Sequence, residues 1–465
     1  MSATQIAAAS RFRDNEIVGT LVLAWPIILG QLAQTLQFSS NTLLMGWLGA
    51  TELAAGALAM ALLHPLLMFM GGVLSVVSSL VAQALGSGST DGGRDAFQQG
   101  LWVCVLFSIL IVPMFFDITP ALHLLGQDPQ ISARAAEFGR IIGFVILPNL
   151  GFVLLRNFLA SHNLTFVALT AVLAASIINF AMGYALTTGF MGLPRMGLAG
   201  IGIATVVSNV LCFVALMVYV GLQRRFAAYR YYDGWYRFNG AAFWHLLRLG
   251  LPIGLFLLSE VALFTSANFL MGNISPDALA GHAVSSQFIG LAFSIPIGLG
   301  VAAMVRVGWA YGAKDVRGMA RAGWTAIGLC VFAMAISSSL YMMIPETLVQ
   351  FFLDPSNPTN AAALPLAITF LYLVGILQLS DGLQGLMSYV LRGMNDTFVP
   401  MVLGIVGYWP IGLALSIGLG LHTDLQGVGV YIGVLTGVSV VAVGLLIRFV
   451  IMVRRFKRAS FGLRA

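Results

Sequence analysis

Apolar residues run along this chain in blocks longer than a soluble core helix needs, and the breaks between blocks are short and rich in Gly, Pro and charge. About 20 mainly apolar residues carry a helix across the hydrocarbon core of a bilayer. By that ruler twelve segments qualify, near residues 17–45, 52–84, 95–116, 135–158, 166–188, 198–222, 246–272, 278–311, 319–343, 362–391, 398–420 and 426–452. The single-residue alternation of membrane barrel strands is absent, so the segments are expected to be helices.

Composition agrees. Of 465 residues 59% are hydrophobic and 9% charged, against about 25% charged in a soluble globule. The expectation is an all-α polytopic membrane protein. A net charge of +6 would suit nucleic acid by its sign, but its placement points elsewhere. With the N-terminus on the cytoplasmic side, Arg11, Arg13, Arg94, Arg156, Arg224, Arg225, Arg237, Arg306, Arg392, Arg448 and the basic C-terminal residues fall on that side, and only Arg134, Arg140 and Arg195 fall opposite. This is a positive-inside pattern, which places both termini in the cytoplasm and leaves no nucleic-acid partner to expect. The first sixteen residues precede a long apolar span that lacks a small-residue cleavage site, and they read as a cytoplasmic segment, not a removed signal. Cys104, Cys212 and Cys330 lie singly inside apolar segments, with the character of packing residues.

The chain also repeats itself. A shift of 226 positions lays Pro26 on Pro252, Met45-Gly46 on Met271-Gly272, Gly72 on Gly298, Cys104 on Cys330 and Asp128-Pro129 on Asp354-Pro355. Further on, a shift of 232 lays Asn163 and Thr165-Phe166-Val167 on Asn395 and Thr397-Phe398-Val399. Each copy holds six segments, an even number, so the copies are parallel repeats. The expected divisions are a cytoplasmic segment 1–16, an N-terminal six-helix lobe 17–222, a cytoplasmic linker 223–245, a C-terminal six-helix lobe 246–452 and a basic tail 453–465. The linker, with Arg224, Arg225, Tyr229, Arg230, Tyr231, Tyr232, Trp235, Tyr236 and Arg237, reads either as contact with anionic lipid or as a plain interfacial connection.

Polar residues at helical spacing within such segments must face protein or water, since lipid offers them no partner. The first segment carries Gln31, Gln34, Thr35 and Asn41; the seventh Glu260, Phe264 and Asn268; the eighth His282, Ser286 and Gln287; the tenth Gln378, Asp381, Gln384 and Ser388. Hydrogen bonds between helices explain Gln, Asn and Ser in about half of such cases. They do not explain Glu260 and Asp381, because a carboxylate at mid-membrane costs about 2.5–3.5 kcal/mol by insertion scales. The repeat is an internal control: Glu260 aligns with Gln34 and Asp381 with Asn149. Only the second copy holds acids, while Lys and Arg are absent from the middle of every segment.

Leu23-Ala-Trp-Pro26, Gly30-Gln31-Leu-Ala-Gln34-Thr35, Val81-Ala-Gln83, Ser259-Glu260-Val-Ala-Leu-Phe264, Arg306-Val307-Gly308, Asp381 and Leu391-Arg392-Gly393 together resemble the multidrug and toxic compound extrusion family, in its bacterial NorM-type branch. The resemblance covers nearly the whole chain. It implies a V-shaped, twelve-helix exporter in the bacterial plasma (inner) membrane, working as a monomer among membrane lipids. Substrate would leave as H⁺ or Na⁺ enters, with no further cofactor and with the cation on Glu260 and Asp381, which would be the metal ligands if Na⁺ is used. Gln34, Asn41, Asn179, Phe264, His282, Gln287, Gln378, Gln384 and Ser388 are expected to touch substrate, a class of small organic cations. Three departures from the family's pattern bear on mechanism. Asn41 and Gly183 replace polar or acidic groups of the N-terminal lobe, Leu377 replaces a Tyr and so tilts the reading toward H⁺, and Gly281-His282-Ala283 replaces Ala-His-Gln.

The reading is a secondary antiporter for lipophilic, mostly cationic drugs or toxic compounds, and not an enzyme. The alternatives are a lipid-linked oligosaccharide flippase of the same superfamily, which should need basic groups in its lumen, and an intramembrane enzyme, for which no HExxH or Gly-Asp signature is present.

Overall fold

Twelve helices long and apolar enough to cross a membrane follow one another in the computed structural model of the protein, which describes residues 15–227, 231–234 and 236–462. They are α1 (Glu16–Leu48), α2 (Ala50–Ser87), α3 (Thr90–Phe116), α4 (Pro129–Ser161), α5 (Thr165–Thr188), α6 (Leu198–Leu222), α7 (Gly240–Ile274), α8 (Pro276–Gly312), α9 (Val316–Met343), α10 (Ala363–Gly393), α11 (Phe398–Leu421) and α12 (Gln426–Arg458). Among the described residues there is no strand. The expected twelve helices are therefore present. Arg11, Arg13, Asp14, Tyr229, Arg230, Trp235 and Arg464, assigned to the cytoplasmic side or the linker from the sequence, lie outside the described residues.

The internal repeat reappears as repeated joints. α2 ends at Gly88 (φ 76°) and α8 runs out at Lys314 (φ 56°), both left-handed. Next come the N-caps Ser89 and Asp315, whose side chains accept from the amides of Gly92 and Gly318. Each cap satisfies one of the amides that a helix start leaves without a partner. Asn163 after α4 and Asn395 after α10 share φ 59°. Asn tolerates this conformation better than other side chains, which accounts for its presence at both turns. α4 begins earlier than its apolar block because Asp128 caps it and Pro129 occupies its first position.

The chain folds into two compact units, one of residues 1–28 with 255–465 and the other of 29–254. The division thus passes through α1 and α7, just beyond Pro26 and Pro252, not through the linker at 223–245. In the unit of 29–254, the start of α7 lies so close to α2 that a Cβ on Gly250 would meet the Val73 carbonyl oxygen at 2.7 Å. In the other unit, a Cβ on Gly298 of α8 would meet Ile28 Cγ1 of α1 at 2.3 Å. Both glycines permit backbone approach that any side chain would block. There the start of α1 is also held ionically: Arg306, 7% exposed, donates from Nε to Glu16 at 3.1 Å.

The linker is docked on the unit of 29–254. Gln98 Nε2 donates to the Tyr231 and Asp233 carbonyls at 2.9 and 3.0 Å. The Tyr231 hydroxyl lies 3.1 Å from His162 Nε2, whose Nδ1 faces the Phe158 carbonyl at 3.0 Å. Since Nδ1 can only donate to a carbonyl, Nε2 is the acceptor and Tyr231 the donor. Burial pushes the His162 imidazole down to about 4, which keeps this tautomer neutral. Tyr231, buried in this way, is a docking residue and has no free face for lipid.

Candidate functional site

The two acids lie in one unit, on α7 and α10, and both are buried, Glu260 7% and Asp381 2% exposed. Each comes from the polar stripe that its helix turns away from lipid. Gln384, one turn beyond Asp381 and fully buried, donates from Nε2 to Glu260 Oε1 at 2.7 Å. Its own Oε1 accepts from the Tyr408 hydroxyl. Tyr408 lies on a π-helical stretch of α11, Gly407–Leu413, which also contains Pro410. Such a bulge rotates the side chains around it and is common at functional sites. The glycines at its two ends let α12 pack closely, for a Cβ on Gly412 would lie 3.3 Å from Gly437 Cα.

Asp381 is close enough for the Glu260 charge to act on it. Its Oδ1 is buried without any hydrogen-bond partner, and so are both amide atoms of Gln378, three residues earlier on the same face. A buried polar atom left unpaired costs about 1–3 kcal/mol, and a charged one more. Two orphan acceptor oxygens beside a second carboxylate form a place where a proton or a small hard cation would be satisfied.

Tyr408 and Arg392 were not among the residues expected from sequence. Arg392, which the positive-inside pattern puts toward the cytoplasmic end of α10, is withdrawn from solvent. It is 2% exposed, lies 4.3 Å above the Tyr389 ring and donates from Nη2 to Ser388 Oγ at 3.2 Å. Ser388 itself donates to the Gly385 carbonyl at 2.7 Å. A buried base therefore stands on the acidic stripe after all.

The remaining expected residues are scattered. His282 is buried but bound elsewhere, with Nδ1 2.8 Å from the Tyr431 hydroxyl and Nε2 3.4 Å from Ser286 Oγ. Phe264 is half-buried, and Gln287 is exposed. Asn41 and Asn179 belong to the other unit, where each donates from Nδ2 to Thr205 Oγ1 at 3.1 Å. The Oδ1 atoms of both are buried and unpartnered. Asn41 and Thr205 line a cavity of about 380 Å³ together with Phe38, Met45, Met60 and His64. Gln34 is half-buried and separate from this pair, while Gln31 beside it takes the Arg156 guanidinium at 2.8 Å. The repeat thus supplies an acidic set in one unit and an amide set in the other.

Comparisons with known proteins agree with the twelve-helix fold. The MatE family model matches residues 26–185 and 252–417. The chain is 37% identical over 468 residues to a protein of Mesorhizobium japonicum named "Probable multidrug resistance protein NorM", covering 98% of this chain and 99% of that one. A protein of the same name from Agrobacterium fabrum is 36% identical, with 94% of each chain covered. Among solved structures, a MATE in the bent conformation superimposes with TM-score 0.84 at 18% identity, covering 95% of this chain and 96% of that one. An outward-facing MATE family transporter of the MOP superfamily gives TM-score 0.82 at 18% identity, covering 95% and 97%.

Proposed function

We propose, from the premise that this chain belongs to the MatE family of membrane transporters, that it is a secondary antiporter exporting lipophilic organic cations as H⁺ or Na⁺ enters. Membership makes it a multi-pass transporter and not an enzyme, and the relatives named for multidrug resistance support efflux of small organic molecules. The coupling cation is assigned to Glu260 and Asp381. The observation that carries this is the orphaned Asp381 Oδ1, beside the orphaned Gln378 amide and within reach of the Glu260 charge.

The chain's own groups divide the work. Glu260 and Asp381 supply the negative charge. Gln384, fixed by Tyr408, holds the Glu260 carboxylate through its Oε1. A proton would be taken up by one carboxylate; Na⁺ would draw oxygen ligands from both acids and from Gln378. In either case, exchange requires that cation and drug each lower the site's affinity for the other, a coupling of typically about 1–3 kcal/mol. Asn41, Asn179 and the cavity beside Thr205 are assigned to drug contact. Apolar and aromatic walls with few polar groups suit lipophilic cations of many shapes. The bacterial plasma membrane and cytoplasmic termini, supported by the bacterial relatives and the positive-inside pattern, complete the reading together with a monomeric state.

Reconstitution into liposomes with separately imposed Na⁺ and pH gradients, following ethidium, tests this. One gradient should drive ethidium movement, and Glu260→Gln and Asp381→Asn should each abolish the driven component. Full driven transport in either variant would refute the assignment.

A further inference from the structure

Three helix ends of one unit meet at a single corner: the close of α8, the start of α9 and the close of α12. Tyr311 of α8 stands edge-on to Phe456 of α12, with ring centroids 5.2 Å apart. Two turns back along α12, Phe449 meets the Trp324 ring of α9 at 5.7 Å and lies so near that a Cβ on Gly323 would touch it. The end of α12 is thus fixed beside the α8–α9 turn, where it carries Arg454, Arg455, Lys457 and Arg458, all exposed. On α9, Arg317, Arg321 and Trp324 follow at steps of four and three and form one exposed stripe, with Trp324 49% exposed. The helix rise sets Arg321 about 4.5 Å and Arg317 about 10 Å from Trp324 toward the turn. Lys314 in the turn is exposed as well, and the acid beside it, Asp315, caps α9 by accepting from the Gly318 amide at 2.9 Å. Among the described residues, none of Arg317, Arg321, Arg454 and Arg455 forms an ion pair.

The repeat separates this corner from an ordinary basic helix end. At the shift of 226, Lys314, Arg317 and Arg321 fall on Gly88, Asp91 and Asp95, and Trp324 falls on Gln98. In that first copy the joint is acidic and covered. Its one base, Arg94, pairs with Asp91 at 2.9 Å, Gln98 holds the linker by the Tyr231 and Asp233 carbonyls, and Asn239 donates to Asp95 Oδ2 at 3.1 Å. In the second copy bases stand where the acids were, and the residue at the linker-holding position is an exposed indole. We propose that this corner binds the headgroup of an anionic phospholipid, with its phosphodiester anion between the α9 stripe and the end of α12, and Trp324 at the boundary of headgroup and acyl chain. An indole suits that boundary, being apolar in its body and polar at its N–H. Bases one and two turns beyond it stand at the depth of the phosphates, where anionic lipid attracts them. Such binding is independent of the antiport chemistry, since it needs only a membrane-spanning α9. Lipid contact thus falls on this corner and not on the linker, where Tyr231 is buried against protein.

Quenching of tryptophan fluorescence by brominated lipid, with the purified full chain in neutral detergent micelles, provides the test. The share due to Trp324 is the difference between each protein and its Trp324→Phe counterpart. Brominated phosphatidylglycerol should quench that share at a mole fraction about fivefold or more below that needed by brominated phosphatidylcholine, the effect of even one base held at an anionic surface. Arg317→Gln/Arg321→Gln and Arg454→Gln/Arg455→Gln should each narrow the gap, and the two pairs combined should close it. Arg224→Gln/Arg237→Gln, which removes two exposed bases of the docked linker, should leave it unchanged. Equal quenching by both lipids in the unaltered chain, a preference that survives in the combined variant, or one lost equally in the linker variant overturns the proposal. Free glycerol phosphate at the same concentration should not displace the lipid; displacement would make the corner a soluble-anion site and defeats the proposal too. Salt at about 1 M shortens the reach of charge to about 3 Å, so the preference should collapse in the unaltered chain whatever the variants' folding, and a preference that salt does not move overturns the assignment.

Discussion

Removing the hydroxyl of Tyr408 probes the site without touching a charge. In Tyr408→Phe the ring still fills its fully buried place against Phe256, with centroids 5.8 Å apart, but Gln384 Oε1 loses its donor. Gln384 is itself fully buried, so no solvent replaces the bond. Leaving such an acceptor unpaired costs about 1–3 kcal/mol. The loss spreads further, because a Gln384 amide free to rotate no longer holds Glu260 Oε1 at 2.7 Å. The assay is a double-mutant cycle on unfolding in mixed micelles, combining Tyr408→Phe with Gln384→Leu. Alone, Tyr408→Phe should destabilise by about 1–3 kcal/mol. In the Gln384→Leu background, where no acceptor remains, the same change should cost far less, giving a coupling energy within the range of about 0.5–3 kcal/mol found for neighbours in one network. Additive effects of the two substitutions would refute the claim that Tyr408 acts through Gln384 upon the acid. Transport by Tyr408→Phe should be impaired less than by Glu260→Gln, since both charges survive.

Three further outcomes follow from particular contacts. The His162 imidazole is pushed down to about 4 by burial, so its neutral form stabilises the fold above its unfolded value of about 6.5. That contribution, at most about 3 kcal/mol and less for its partial exposure, is lost as pH falls from about 6.5 to about 4. Thermal unfolding against pH should therefore be flatter over this window in His162→Gln than in the unaltered chain. Glu16→Gln leaves the buried Arg306 guanidinium without its carboxylate and should cost about 3–5 kcal/mol, read as loss of thermal stability with the Glu16→Asp variant intermediate. Gly250→Ala places a methyl 2.7 Å from the Val73 carbonyl and should destabilise by about 1–3 kcal/mol, whereas Gly290→Ala, with no atom within 4 Å, should be nearly silent in the same melt.

Much of the architecture was legible because membrane crossing imposes a length and a polarity that sequence displays directly. The twelve apolar blocks, the copied Pro and Gly positions and the two misplaced acids needed no partner to be noticed. Glu260 and Gln384 were both singled out, yet their bond joins residues far apart in sequence and follows only from packing. Tyr408 was missed because a lone Tyr in an apolar block has no pattern; Pro410 between Gly407 and Gly412 was the available sign of an irregular turn beside it. Arg392 was passed over for a different reason. It extends the stripe of Asp381, Gln384 and Ser388 in step, but at the end of an apolar block a basic residue satisfies the positive-inside rule equally well, and the two explanations are indistinguishable until burial is known. The unit boundary was hidden likewise, since duplication marks the linker while packing marks the prolines.

That boundary bears on what would happen to a severed polypeptide. Cutting the backbone between 223 and 239 would release two fragments, each carrying near its start a length of helix, residues 16–28 or 240–254, that belongs to the compact unit of the other. Neither piece would be self-sufficient, and the pair would regain its structure only by trading arms. A gene fission at the most obvious seam of this sequence would thus create obligate companions, not two smaller proteins.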